Sequence, residues 1–216
     1  MRYIDVETWP RRDHYRLYRQ FDSPHFNMCA SVDLTAFYPA VKARGIAFTV
    51  GVLYVLARAA NDEPAFRYRM RGDDVVEHDT VHPGITVLAD DGIFGFCQID
   101  YATDFPMFAA GATESIAVAK QRPTLKGEPD RDDLLFTTAI PWVSFTSFAH
   151  PTHLQPADSV PRLAWGKRFV EDGLMKMPLS VQGHHAMMDG LHMGRYYERV
   201  QAYLAEPEQF LGIGDA

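Results

Sequence analysis

The segment Leu174-Met-Lys-Met-Pro178-Leu-Ser-Val-Gln182-Gly-His184-His185-Ala-Met-Met-Asp189-Gly190-Leu-His192 runs from a strand pattern into a histidine-rich turn and then a helix start. Its first part, 174–182, reads as a strand. Asp172-Gly173 before it reads as a hairpin turn leading back to a second strand over 162–171. From Asp189 or Gly190 to Ala205 the apolar residues recur at helical spacing, so an amphipathic helix follows. Two adjacent histidines therefore stand where a strand hands over to a helix.

Outward from this region the same patterns recur. A strand is expected over 134–140 and a helix over 105–122. Hairpins are expected over 67–70 and 75–78 about Gly72-Asp73-Asp74, and over 85–89 and 93–99 about Asp90-Asp91-Gly92. Alternation from Phe26 to Val32 suggests a strand. Helices fit 35–44, stopped by Gly45, and 49–63, ended by Pro64. Thr8-Trp9-Pro10 reads as a capped helix start, with the helix continuing to about Gln20. The fold class expected is α/β, a two-layer sandwich with helices packed on a mixed, mostly antiparallel sheet. No repeat, linker or compositional break divides the chain, so a single domain is expected over 1–216.

The 216 residues are 47% hydrophobic and 23% charged, enough apolar mass for a sizeable core. With 21 basic and 28 acidic side chains the formal charge is −7, which gives no general attraction for phosphate backbones. No nucleic-acid partner is expected. Cys29 and Cys97 make neither a disulfide framework nor a CxxC motif and read as inert thiols of a reduced compartment. The uncharged run 45–57 is shorter than the ~18–20 residues of a bilayer span, so no membrane partner is expected. Arg2, Asp5 and Glu7 stand where a signal peptide needs apolar residues. A cytoplasmic location is expected.

Three readings compete for the histidine-rich turn. His184 and His185 are hydrogen-bonded core residues, with Asp189 capping the last helix; or His and Asp at i and i+4 bind a metal, a thin set without a further ligand; or His185 is a general base poised near neutral pH. No Gly-x-Ser-x-Gly elbow and no recognisable cysteine nucleophile accompanies it. A base here implies direct transfer, in which it activates an acceptor hydroxyl without a covalent enzyme intermediate. Strand alternation turns His184 and His185 to opposite sides. Trp9-Pro-Arg11-Arg12-Asp13-His14-Tyr15 reads either as a solvated basic turn or as a segment in which Arg11, opposing the dipole early in a helix, is offset by a distant carboxylate. In Thr137-Thr138-Ala-Ile-Pro141-Trp142-Val-Ser-Phe-Thr-Ser-Phe148, hydroxyls alternate with apolar residues. They mark a strand with one buried face, or else supply a hydroxyl that donates to an oxyanion.

Together these segments resemble the chloramphenicol acetyltransferases of the trimeric, histidine-base type. The resemblance rests on Trp9, Arg11 and His14, on Val81-His82-Pro83, on Pro141 to Phe148, and on Pro178 to Gln182 leading into His184-His185-x3-Asp189-Gly190. It spans most of the chain in the same order. It implies transfer of acetyl from acetyl-CoA to a hydroxyl of chloramphenicol, without a metal, by a homotrimer with active sites between subunits. It further implies that His185 is the base, that Asp189 pairs with Arg11 to hold the site's shape, that Tyr18 contacts the acceptor, and that Lys167 lies near coenzyme A. Thr138 falls where the family has a serine that donates to the tetrahedral intermediate. Ala164 replaces a usual threonine, and Phe48-Thr49-Val50 replaces Phe-Tyr-Pro. Met187-Met188 stand where smaller residues are typical and are expected to reshape the pocket. The alternatives are acetylation of a different hydroxylated small molecule, or a catalytically silent ligand-binding homologue.

Overall fold

In a computed structural model, which describes residues 1–127, 131–153 and 158–212, the chain runs β1 (Arg2–Ile4), α1 (Arg12–Tyr18), β2 (His25–Asp33), α2 (Phe37–Ala43) and α3 (Phe48–Asn61). A 3-10 turn (Pro64–Arg67) leads to β3 (Tyr68–Arg71), β4 (Asp74–Glu77), β5 (His82–Leu88), β6 (Phe94–Gln98) and α4 (Phe105–Gln121). Then come β7 (Leu134–Ile140), β8 (Arg162–Gly166), β9 (Phe169–Glu171), β10 (Leu174–His184), α5 (Gly190–Ala205) and α6 (Pro207–Leu211). The expectation of one domain over 1–216 includes 128–130, 154–157 and 213–216, which lie outside the described residues.

The main sheet has the order β2-β10-β8-β7-β5-β6, with β9 also paired to β10. The β5–β7 and β7–β8 pairs are parallel and the rest antiparallel, so the sheet is mixed and mostly antiparallel. Alternation assigns its two faces. Ile85, Val87, Leu135, Leu163, Trp165, Leu179 and Val181 point into one core. Leu53 and Leu56 of α3, Phe108 of α4, and Tyr196 and Val200 of α5 cover them from the other side. The opposite face carries Thr86, Phe136, Thr138, Ser180, Gln182 and His184. Ser180 donates to the Phe148 carbonyl at 2.8 Å, and the His150 N–H donates to Gln182 Oε1 at 2.8 Å. The stretch after β7 is thereby fastened across this second face.

Several expectations need correction. The strand over 162–171 is two strands, because the Lys167 N–H leaves the ladder to donate to the Val143 carbonyl at 2.9 Å. The two-residue turn at Asp172 and Gly173 is present, with φ of 53° and 79°. Thr8 is not a helix cap: its hydroxyl donates to Asp5, and α1 starts at Arg12 after Arg11, without a side-chain cap. A separate three-stranded sheet, β1-β4-β3, contains a strand that the sequence did not mark, and α6 was likewise unmarked. Three-residue β1 is too short for its alternation to register as a pattern.

Candidate active site

The turn after β10 is built around its last strand residue. Met187 and Met188 both donate their N–H to the His184 carbonyl, at 2.9 and 3.1 Å. Gly183 permits the fold-back, since a Cβ there would lie 2.3 Å from Met188 Sδ. Met187 and Met188 are consequently buried, in two different hydrophobic clusters. Tight packing under the turn holds both of them in the core.

His184 and His185 diverge as alternation requires. His184 is buried edge-on to His25, its register partner on β2, with ring centroids 5.1 Å apart. Burial, helped by the neighbouring His25, pushes its imidazole down to about 4, so it is neutral at pH 7. It is a core histidine, as the first of the three readings has it. His185 turns the other way. Its ring lies flat on Tyr18, with centroids 3.9 Å apart and planes 5° from parallel, and Phe26 of β2 closes in at 4.7 Å. The main chain of His185 is held on both sides. Its N–H donates to the Pro24 carbonyl at 2.9 Å, and its carbonyl accepts from Arg11 Nη2 at 3.2 Å.

Arg11 links the two ends of the site. Its Nη1 donates to Asp189 Oδ2 at 2.5 Å, across 178 positions of sequence. Asp189 also caps α5, its Oδ1 accepting from the Leu191 N–H at 3.0 Å. Burial alone would raise this carboxyl, but the Arg11 hydrogen bond and the charges of His192 and Arg11 outweigh it and hold it well below the usual carboxylate range. Asp189 thus touches Arg11 rather than the His185 ring, and its influence on His185 runs through the backbone. Among the described residues no group of three or more His, Cys, Asp or Glu side chains is placed to hold a metal ion.

The remaining candidates lie elsewhere. Ser180, Ala164 and Thr138 sit side by side on β10, β8 and β7. His185 lies five positions beyond Ser180 in sequence. At ~3.3 Å per residue and ~4.8 Å per strand, the backbones of Thr138 and His185 of one chain are roughly 15–20 Å apart. The Thr138 hydroxyl is 3.2 Å from that of Thr86. Lys167 is exposed just past the end of β8, at the opposite end of the strands from His185. One chain therefore brings together Arg11, Tyr18, His185 and Asp189, and leaves Thr138 and Lys167 apart from them.

Comparison with known proteins gives this arrangement a family. The model of the chloramphenicol acetyltransferase family matches residues 1–201. The chain belongs to the chloramphenicol acetyltransferase family. A chloramphenicol acetyltransferase of Klebsiella sp is 30% identical to this acetyltransferase over 204 residues, covering 94% of this chain and 93% of the relative. A chloramphenicol acetyltransferase 2 of Haemophilus influenzae is 30% identical over 200 residues, covering 92% and 94%. A solved chloramphenicol acetyltransferase superposes with a TM-score of 0.82 at 28% identity, covering 93% of this chain and 98% of that one. The truncated catalytic core of a 2-oxoacid dehydrogenase multienzyme complex from Thermoplasma acidophilum, at 17% identity, shares the fold with a TM-score of 0.68 over 90% of this chain and 92% of that one.

Two residues of this acetyltransferase's site escaped the sequence reading. Phe26 was read as one position of an alternating strand, and nothing local says that its ring meets His185. His192 stands three residues after the cap Asp189, the spacing of a capping box with histidine in place of Glu or Gln. That spacing was the available signal.

Proposed function

We propose that this chain transfers acetyl from acetyl-CoA to a hydroxyl of chloramphenicol, in the cytoplasm, by direct attack within a ternary complex. The observation that carries this is the fixing of His185, with its ring stacked on Tyr18 and its main chain bonded at both N–H and carbonyl. A base so held meets the acceptor without first losing rotamer freedom. With Nδ1 buried, Nε2 is the nitrogen left to take the acceptor proton. The resulting oxygen attacks the thioester carbonyl, Thr138 donates to the oxyanion, and His185 returns its proton to the departing thiolate of coenzyme A. Tyr18 contacts the acceptor, and Lys167 lies beside coenzyme A. Arg11 and Asp189 do no proton transfer; they keep the His185 backbone in place.

The reading includes a homotrimer. Thr138 and His185 cannot serve one intermediate within a single chain, so the donor comes from a neighbouring copy. Phe94, Phe96 and Phe136 share the sheet face of Thr138 and are 47, 45 and 37% exposed, an apolar patch of the kind a second subunit covers.

The test is release of free coenzyme A from acetyl-CoA with and without chloramphenicol. Chloramphenicol-dependent release supports the proposal. Release with other hydroxylated compounds alone would make the acceptor a different small molecule, and none with any acceptor would make the chain a silent ligand-binding homologue.

A further inference from the structure

We infer that His192 is a positioning residue for His185, acting through Asp189 and Arg11; the inference rests on the reading of His185 as the base. His192 Nδ1 lies 2.9 Å from Asp189 Oδ1 and 3.2 Å from the Asp189 backbone nitrogen. A protonated Nδ1 donates to the carboxylate, and an unprotonated one accepts from the N–H. In both states it anchors the same residue. With Nδ1 protonated, the Asp189 carboxylate is held at both oxygens, Oδ1 by His192 and the Leu191 N–H, Oδ2 by Arg11. Arg11 has its second nitrogen on the His185 carbonyl. Without His192, Oδ1 keeps only the Leu191 N–H, so the carboxylate is held less tightly, Arg11 loosens on that carbonyl and the imidazole shifts on Tyr18. A capping role alone would be met by the Leu191 N–H and would leave His185 untouched.

The experiment compares His192→Asn with His192→Phe in the full chain. Asparagine places a nitrogen or oxygen where Nδ1 stands, while phenylalanine keeps the ring shape and removes the polar atom. Two quantities are read: kcat and KM for coenzyme A release, and the proton resonances of the His185 ring, shifted by the Tyr18 ring current and assigned by their loss in His185→Gln. His192→Phe should lower kcat by about 10–10²-fold with little change in KM, as expected for a small misplacement of the base. It should also move the His185 resonances, and His192→Asn should restore both. An unchanged kcat and resonance in His192→Phe overturns the inference, as does an asparagine variant as impaired as the phenylalanine one. Should phenylalanine prevent folding, His192→Ala takes its place in the same comparison. If the wild type releases no coenzyme A, the reading of function fails, and the resonance positions still decide whether His192 positions His185.

Discussion

Tyr18 and His185 are stacked face to face, 3.9 Å between ring centroids and 5° from parallel, although α1 and the turn after β10 lie far apart in sequence. Such aromatic pairs contribute ~0.5–1.5 kcal/mol beyond the area they bury. Phe26 also packs against the imidazole, tilted, at 4.7 Å. The packing fixes the plane of the His185 ring.

Tyr18→Phe should preserve the stack and leave kcat within about threefold, while raising KM for the acceptor by roughly 2–10-fold if the hydroxyl bonds to it. Tyr18→Ala should release the imidazole and lower kcat as well. Steady-state kinetics on both variants checks this. A kcat equal to wild type in Tyr18→Ala would mean that the stack does not position the base.

Thr138→Ala should lower kcat by about 10²–10³-fold with little effect on KM, the usual cost of one oxyanion donor. A loss of less than about threefold would remove Thr138 from that role. Each site is proposed to draw His185 from one subunit and Thr138 from the next. Inactive Thr138→Ala and His185→Ala subunits, refolded together, should therefore recover activity in about a quarter of their sites, by random assortment around a closed ring. No recovery in mixed oligomers would contradict a site shared between subunits.

The Arg11–Asp189 pair is partly exposed, with side chains 12 and 29% accessible, so it is worth less than a fully buried pair. Arg11→Ala should cost ~1.5–3 kcal/mol, the range of a charge-assisted hydrogen bond. Because Asp189 is held well below its ordinary 3.8, its stabilisation is full above that pH and is lost as pH falls through the depressed range. Asp189→Asn should lower Tm at pH 7 and narrow its gap to wild type in acid. Thermal melts between pH 7 and pH 2 measure both effects, and a gap that does not change with pH would show that the carboxylate is not stabilised by its partners.

His184 and His150 are both pushed down to about 4, chiefly by burial, from an ordinary 6.5. Unfolded chains take up protons that the folded protein refuses, so their contribution is full above about 6.5 and is lost as pH falls toward 4. Tm should drop across that window. His184→Gln, which cannot charge, should flatten part of the slope, and an unaltered slope would show that His184 does not resist protonation.

The layered fold was legible because its central strands and long helices carry clear periodicity: β7 falls on its expected residues, and α3, α4 and α5 within one or two. The break after Gly166 was not, because it depends on the Lys167 N–H finding the Val143 carbonyl in a distant segment. Within the site, the pairing of Arg11 with Asp189 and the choice of His185 over His184 were implied by the family resemblance, while spacing alone left three readings open. The Tyr18–His185 stack and the approach of Phe26 were not legible, since sequence separates those rings and only the packing of α1 against the end of β10 joins them. The separation of Thr138 from His185 is a matter of strand register, which pairwise motifs do not encode.

The most direct test is chloramphenicol-dependent coenzyme A release by His185→Ala and His184→Gln beside wild type, with acetyl-CoA affinity measured by calorimetry. Loss of the general base should reduce turnover of His185→Ala by at least about 10²–10⁴-fold with acetyl-CoA affinity retained, while His184→Gln keeps its turnover and loses stability. Retained turnover in His185→Ala, with His184→Gln inactive yet folded, would contradict the account.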